Sequence, residues 1–172
     1  MSSPWNVVKV EQLRISGVPI DFTLAYNSGD MLKWDSTNHK AVPVVAGDQA
    51  SSTAAAAFIG VAVDTQPVTS LNQNLQEPRM SVVTRGLCEF TVADSATYYP
   101  GDYVTFATDP QQIQKTAASS ANAIGVVAPE NFFAVAGTGA AGANQAQGIV
   151  ATAGVTKLKI YLKPQFTNLS SF

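Results

Sequence analysis

Two carboxylates are the first candidates for chemistry, because each follows a glycine and opens an alternating apolar run. Gly29-Asp30 precedes "MLKWDST", and Gly101-Asp102 precedes "YVTFATD". A carboxylate pair can share acid–base work when a pocket drives the two pKa values apart. Asp after Gly has a plainer use in a tight turn, where its side chain bonds nearby backbone. The sequence points to that use for both residues. His39 is the only histidine and lies in the polar run "DSTNHK", with no Cys or His nearby to complete a ligand set. It reads as a turn residue, and no metal site is expected. Cys88 is the only cysteine, so no intrachain disulfide can form; in "LCEFTV" it shares a side with Phe90 and Val92, which predicts a core position.

The run "GTGAAG" at 137–142 satisfies the glycine spacing of a dinucleotide-binding turn. That site also needs a following helix and an acidic residue about 20 positions on. No Asp or Glu follows Glu130, and "ANQAQGIVATAG" has no helical apolar stripe. The segment reads as a Gly/Ala-rich loop, 134–148. No Gly-x-Ser-x-Gly elbow occurs, and "NLS" at 168–170 is a formal glycosylation sequon on a chain that starts without a secretory signal pattern. Neither an enzyme nor a cofactor is expected.

The elements that must carry these residues are strands. Period-2 alternation recurs along most of the chain, most clearly in "KLKIYLK", where Leu158, Ile160 and Leu162 point one way and Lys157, Lys159, Tyr161 and Lys163 the other. Further strands are expected at 7–15, 21–26, 79–85, 87–93 and 131–136. Aligning Gly29-Asp30 on Gly101-Asp102 brings Leu32 and Trp34 over Val104 and Phe106. "FIGVAV" (58–63) then matches "AIGVVA" (123–128), with Gly60 over Gly125, where another backbone or a large side chain must come close. An internal pseudo-repeat follows, with halves at about 21–66 and 79–130 joined by a linker at 67–78. The Ala-, Ser- and Thr-rich stretches inside the halves are expected to be surface loops. The fold class is all-β: a compact β-barrel or β-sandwich at 21–165, with an extended N-terminal arm at 1–20, a last strand at 155–163 and a tail at 166–172. Trp5, in the arm, is either a staple that completes the fold or an anchor for a partner. Tyr98 and Tyr99 stack in the core mouth or serve a contact face.

Charge narrows the partners. Only 13% of the residues are charged and the net charge is -2, so the dense cation field that nucleic acid requires is missing. No apolar stretch is long enough to span a bilayer, and a soluble protein made in a cytoplasm is expected. The arm residues Val7, Val8, Val10, Leu13 and Ile15, with Trp5, are suited to adding a strand to a neighbour's sheet edge.

In order along the chain, the Gly-Asp strands, "IGVAVD", "VVTRGLCEF", "YYPGDYVTF", "AIGVV" and "LKIYLKP" resemble the small capsid decoration, or cement, proteins of tailed bacteriophages. The similarity covers roughly residues 29–163. What it implies is a non-enzymatic protein of the virion's outer capsid surface. Such a protein is usually a homotrimer that bridges neighbouring subunits of the major capsid protein lattice, and it needs no nucleic acid or membrane. A tail or receptor-binding β module that recognises host-surface glycans is the alternative.

Overall fold

The computed structural model describes residues 13–49, 51–67, 78–109, 111–116, 123–131 and 148–163. The fold is all-β, as the alternation predicts, and it is built as two five-stranded units in tandem.

The first unit comprises β1 (Leu13–Pro19), β2 (Met31–Asp35), β3 (Lys40–Pro43), β4 (Phe58–Ala62) and β5 (Arg79–Arg85), in the sheet order β1-β5-β4-β2-β3. A single parallel bridge, Ile20 to Ala41, brings its two end strands together. The second unit uses β6 (Leu87–Val92), β8 (Tyr103–Phe106), β9 (Gln112–Lys115), β10 (Gly125–Val127) and β12 (Lys157–Leu162), and it is a closed barrel in the order β10-β12-β6-β9-β8. A small ribbon of β7 (Thr97–Tyr98) and β11 (Ile149–Val150) sits beside it. Closure removes sheet edges in the second unit; in the first, β1 and β3 remain nearly open.

Strand for strand, the two units have the same order, and their central pairs correspond in register, although β1 and β5 pair with register shifts that β6 and β12 do not show. Leu32 faces Gly60 as Val104 faces Gly125, and Lys33 faces Val42 as Thr105 faces Gln114. Val61 faces Val83 as Val126 faces Tyr161, and Val18 faces Met80 as Phe90 faces Leu158. Even the parallel closure corresponds, Ile20 to Ala41 against Val92 to Ile113. The boundaries differ from those expected of the sequence. Arg79–Arg85 pairs with β1 and β4 and so completes the first unit, and Gly86 (φ 124°) is the point where the chain passes to the second.

Alternation explains the interiors. Val18, Ile20, Tyr26, Leu32, Trp34, Ala41, Ile59, Ala62, Met80 and Val82 fill the first unit. The corresponding slots of the second hold Phe90, Val92, Tyr98, Val104, Phe106, Ile113, Ile124, Val127, Leu158 and Ile160. Trp34 pairs across the ladder with Ala41, where Phe106 pairs with Ile113, so a larger ring meets a smaller neighbour and the slot volume is nearly kept. Phe106 is fully buried, whereas Trp34 is only half-buried. Cys88 packs half-buried against the second core, opposite Ile160.

Several expectations are corrected. Residues 13–19 are not part of a free arm: they form β1, with Leu13 opposite Arg85 and Ile15 opposite Val82. The run 21–26 is a turn, because the Asp21 carboxylate accepts both the N–H and the hydroxyl of Thr23 and the Leu24 N–H closes on the Asp21 carbonyl. The polar stretches after β2 and β8 are not merely loops, since each returns as a strand, β3 or β9. The first also carries a short helix, α1 (Ser52–Ala56), capped by the Ser51 hydroxyl accepting from the Ala54 N–H, and it buries Ala54 and Ala55. Pro129–Asn131 is a 3-10 turn rather than the start of a strand. The rest of that expected strand, most of the 67–78 linker, most of the Gly/Ala-rich loop with "GTGAAG", and the tail with its sequon lie outside the described residues, as do Trp5, Val7, Val8 and Val10.

Candidate interaction surfaces

The two Gly-Asp turns are built alike. Asp30 Oδ2 accepts the Asn27 N–H at 2.8 Å, and Asp102 Oδ2 accepts the Tyr99 N–H at 2.8 Å. In each turn the glycine N–H and the aspartate carbonyl clasp the partner strand: Gly29 and Asp30 on Ala62, Gly101 and Asp102 on Val127. Gly29 and Gly101 take φ values of 98° and 85°, which only glycine adopts cheaply. The aspartates therefore serve the turns that launch β2 and β8, one in each unit.

Beside the second turn, Lys115 gathers a polar cluster. Its Nζ lies 2.6 Å from Asp102 Oδ2, donates to the Thr97 carbonyl at 2.9 Å, and sits over the rings of Tyr98 and Tyr99 at 5.9 and 5.5 Å. Tyr98 is fully buried and donates to Asp94 Oδ1 at 2.5 Å, while Asp94 Oδ2 accepts the Lys115 N–H. Burial, reinforced by the Asp94 hydrogen bond, holds the Tyr98 phenol well above its ordinary range. Tyr26 occupies the same place in the first unit: its hydroxyl donates to the Ala41 carbonyl and accepts the Asp21 N–H, and burial pushes its pKa up to about 12. Both tyrosines stand three residues before the glycine, in "YNSG" and "YYPG". That shared spacing was available in the sequence and is the signal that marks Tyr26 as a core residue. Tyr99, by contrast, is 46% exposed on the turn, so the two adjacent tyrosines divide between core and surface.

The remaining sequence candidates are placed apart. His39 is exposed in the turn between β2 and β3, in a left-handed conformation (φ 54°). Burial pushes the Cys88 thiol up, which keeps it protonated and weakly nucleophilic. Among the described residues no group of three or more His, Cys, Asp or Glu side chains is placed to hold a metal ion, and no helix is long and apolar enough to cross a membrane. Of the six expected contact residues, Leu13 is 51% exposed and Ile15 half-buried, both on β1 at the end of the first sheet.

The outer faces of the two units differ in a way the strand pattern did not reveal. In the first, a row of outward side chains, Met31, Val61 and Val83, crosses β2, β4 and β5. Met31 and Val61 are buried and Val83 is packed in the same apolar cluster as the second barrel's interior; Phe58 joins them, meeting Phe106 edge-on at 5.6 Å. Side-chain amides seal the margin, with Gln49 bonded to both Gln114 and Thr108. In the second unit the corresponding row is Tyr103, Val126 and Tyr161, extended by Leu87 on β6. All four are half-buried. Lys163 lies over the Tyr103 ring at 5.8 Å, and the Tyr161 hydroxyl donates to Glu130.

No protein-family model matches this chain, and no curated protein matches it in sequence.

Proposed function

We propose that this chain is a structural protein that decorates the outer surface of a tailed-bacteriophage capsid and bridges neighbouring subunits of the shell. The observation that carries this reading is the position of β1. It ends the first sheet, among the described residues only the following Ile20 bridges to Ala41 of β3, and it follows in sequence on the strand-prone run at residues 7–12. An edge strand with an apolar leader suits main-chain pairing with a neighbour, in which backbone hydrogen bonds supply affinity and alternate side chains set register. The weakly charged surface and the order of strand motifs along residues 29–163, similar to that of phage decoration proteins, agree with this role. Oligomers would multiply weak single grips through effective concentration, by about 10² to 10⁴.

The test is removal of residues 1–12, which spares β1. The truncated protein is expected to keep its thermal unfolding midpoint and to lose co-sedimentation with expanded capsids. If it binds shells as well as the whole chain, the leader is not the grip.

A further inference from the structure

We infer that the front half of β1, residues 13–16, is a detachable strap hinged at Gly17, which peels from β5 while the rest of the first unit stays folded. The inference deepens the decoration reading by saying how the reach of the leader is regulated, and it rests on that reading only for the biological use of the opening.

The ladder between β1 and β5 is in two pieces. Ile15 lies opposite Val82 and Val18 opposite Met80, so β1 holds one residue more than β5 over this stretch, and the extra residue falls at Ser16-Gly17. Gly17 takes φ 81°, a left-handed conformation in the middle of a strand. Behind that bulge the chain is anchored. Val18 packs on the first core, Ile20 is fully buried, and the Ile20 N–H bonds the Pro78 carbonyl at 3.1 Å. In front of the bulge the hold is slight. Leu13, Arg14 and Ser16 are exposed, and only the Ile15 side chain is half-buried. The register slips again between Leu13 and Arg14, where the Thr84 hydroxyl donates to the Leu13 carbonyl at 3.2 Å. The ion pair between Arg14 and Asp64, 3.8 Å long with both side chains at least half exposed, is screened by water and salt. Opening the front half therefore uncovers little apolar surface, whereas opening the back half would expose Val18 and Ile20, and the two halves part at the glycine.

The direction of load agrees. Leu13 faces Arg85, and Gly86 then carries the chain straight into β6 of the second unit. Tension drawn on the leader and resisted by the second unit thus enters and leaves the β1–β5 pair at the same end. Its bonds break one after another from Leu13 to Ile15 instead of all together, and the peel stops where Val18 is packed. Release of residues 13–16 lengthens the leader by roughly 13 Å, at about 3.3 Å per residue. The leader can then follow a shell neighbour without unfolding the unit behind it.

Native-state hydrogen exchange on the full chain, followed by NMR at rising sub-denaturing urea, tests this. Amides bonded across the front half, between residues 13–15 and 82–85, are expected to exchange at least about a hundredfold faster than the Ile20 amide. Their rates should respond little to urea, because a local opening exposes little surface. Leu32→Val separates local from global opening, since Leu32 is fully buried in the first core on β2. It is expected to speed Ile20 exchange about tenfold through global unfolding and to leave the front half unchanged. Front-half amides as slow as Ile20 overturn the inference. So do front-half rates that climb with urea as steeply as the Ile20 rate, or that rise by the same factor in Leu32→Val. Hydrogen exchange needs no capsid, so failure here is distinguishable from failure of the decoration role, which co-sedimentation of the wild type reads.

Discussion

At the scale of single residues, the two buried tyrosines tie stability to alkaline pH. An unfolded chain ionises its phenols near the ordinary value of 10.0, whereas Tyr26 in the folded protein waits until about 12 and Tyr98 is raised as well, each chiefly because burial penalises the phenolate. Raised folded values mean that the native state holds its protons longer than the unfolded state does. The stability this confers is fully present below pH 10, and it is lost progressively as pH rises towards and through the folded values. Urea midpoints measured across that window should therefore fall with rising pH. Tyr98→Phe should flatten the fall, since it keeps the ring and removes the ionising group. A wild type whose midpoint holds steady above pH 10 would show that these phenols are not protected as the structure requires.

At the scale of elements, the central strands depend on two corresponding close approaches. A Cβ on Gly60 would stand 2.1 Å from the Val83 carbonyl oxygen, and one on Gly125 would stand 2.5 Å from Ile160 Cγ2 and 2.7 Å from the Tyr161 carbonyl oxygen. Val83 and Tyr161 are themselves corresponding residues. Backbone cannot yield as a flexible side chain can, so Gly60→Ala and Gly125→Ala should each cost more than about 3 kcal/mol in denaturant unfolding. Gly47→Ala, with nothing within 4 Å, should stay within about 0.5 kcal/mol. A small effect at Gly60 or Gly125 would mean that β4 and β5, or β10 and β12, lie farther apart than described. These glycines and the Gly-Asp turns were legible in the sequence because each needs one residue type at one offset. The strands β3 and β9 were not. "KAVP" and "QIQK" are only four residues long and set within Ala-, Ser- and Thr-rich chain, so their pairing with β2 and β8 carries information that alternation lacks. The division of the units was misread for a related reason. β5 and β6 are separated by Gly86 alone, and only the partners of β5 show that it closes the first unit rather than opening the second. The outer row of the second unit was invisible for another reason: alternation gives a strand two faces but does not say which of two like faces another unit covers.

At the scale of the whole molecule, two like units would be expected to unfold separately if each closed its own core, yet the first unit's outer face and the second unit's interior form one buried cluster. Phe58, outward on β4, is fully buried, and its contact with Phe106 is the clearest physical link between them. Cutting Phe58 back to Ala should cost about 3 to 5 kcal/mol, and the loss should appear as a shift of one transition rather than of half the signal. Calorimetry of the wild type should give one peak whose calorimetric and van't Hoff enthalpies agree. Because the cluster is shared, Phe106→Ala should shift the same transition, and the double variant should cost less than the two single losses added together, the mark of side chains in contact. Two resolved transitions in the wild type, or additive losses in the double variant, would mean that the units stand side by side without sharing a core. In that case the first unit's outer row would need some other cover.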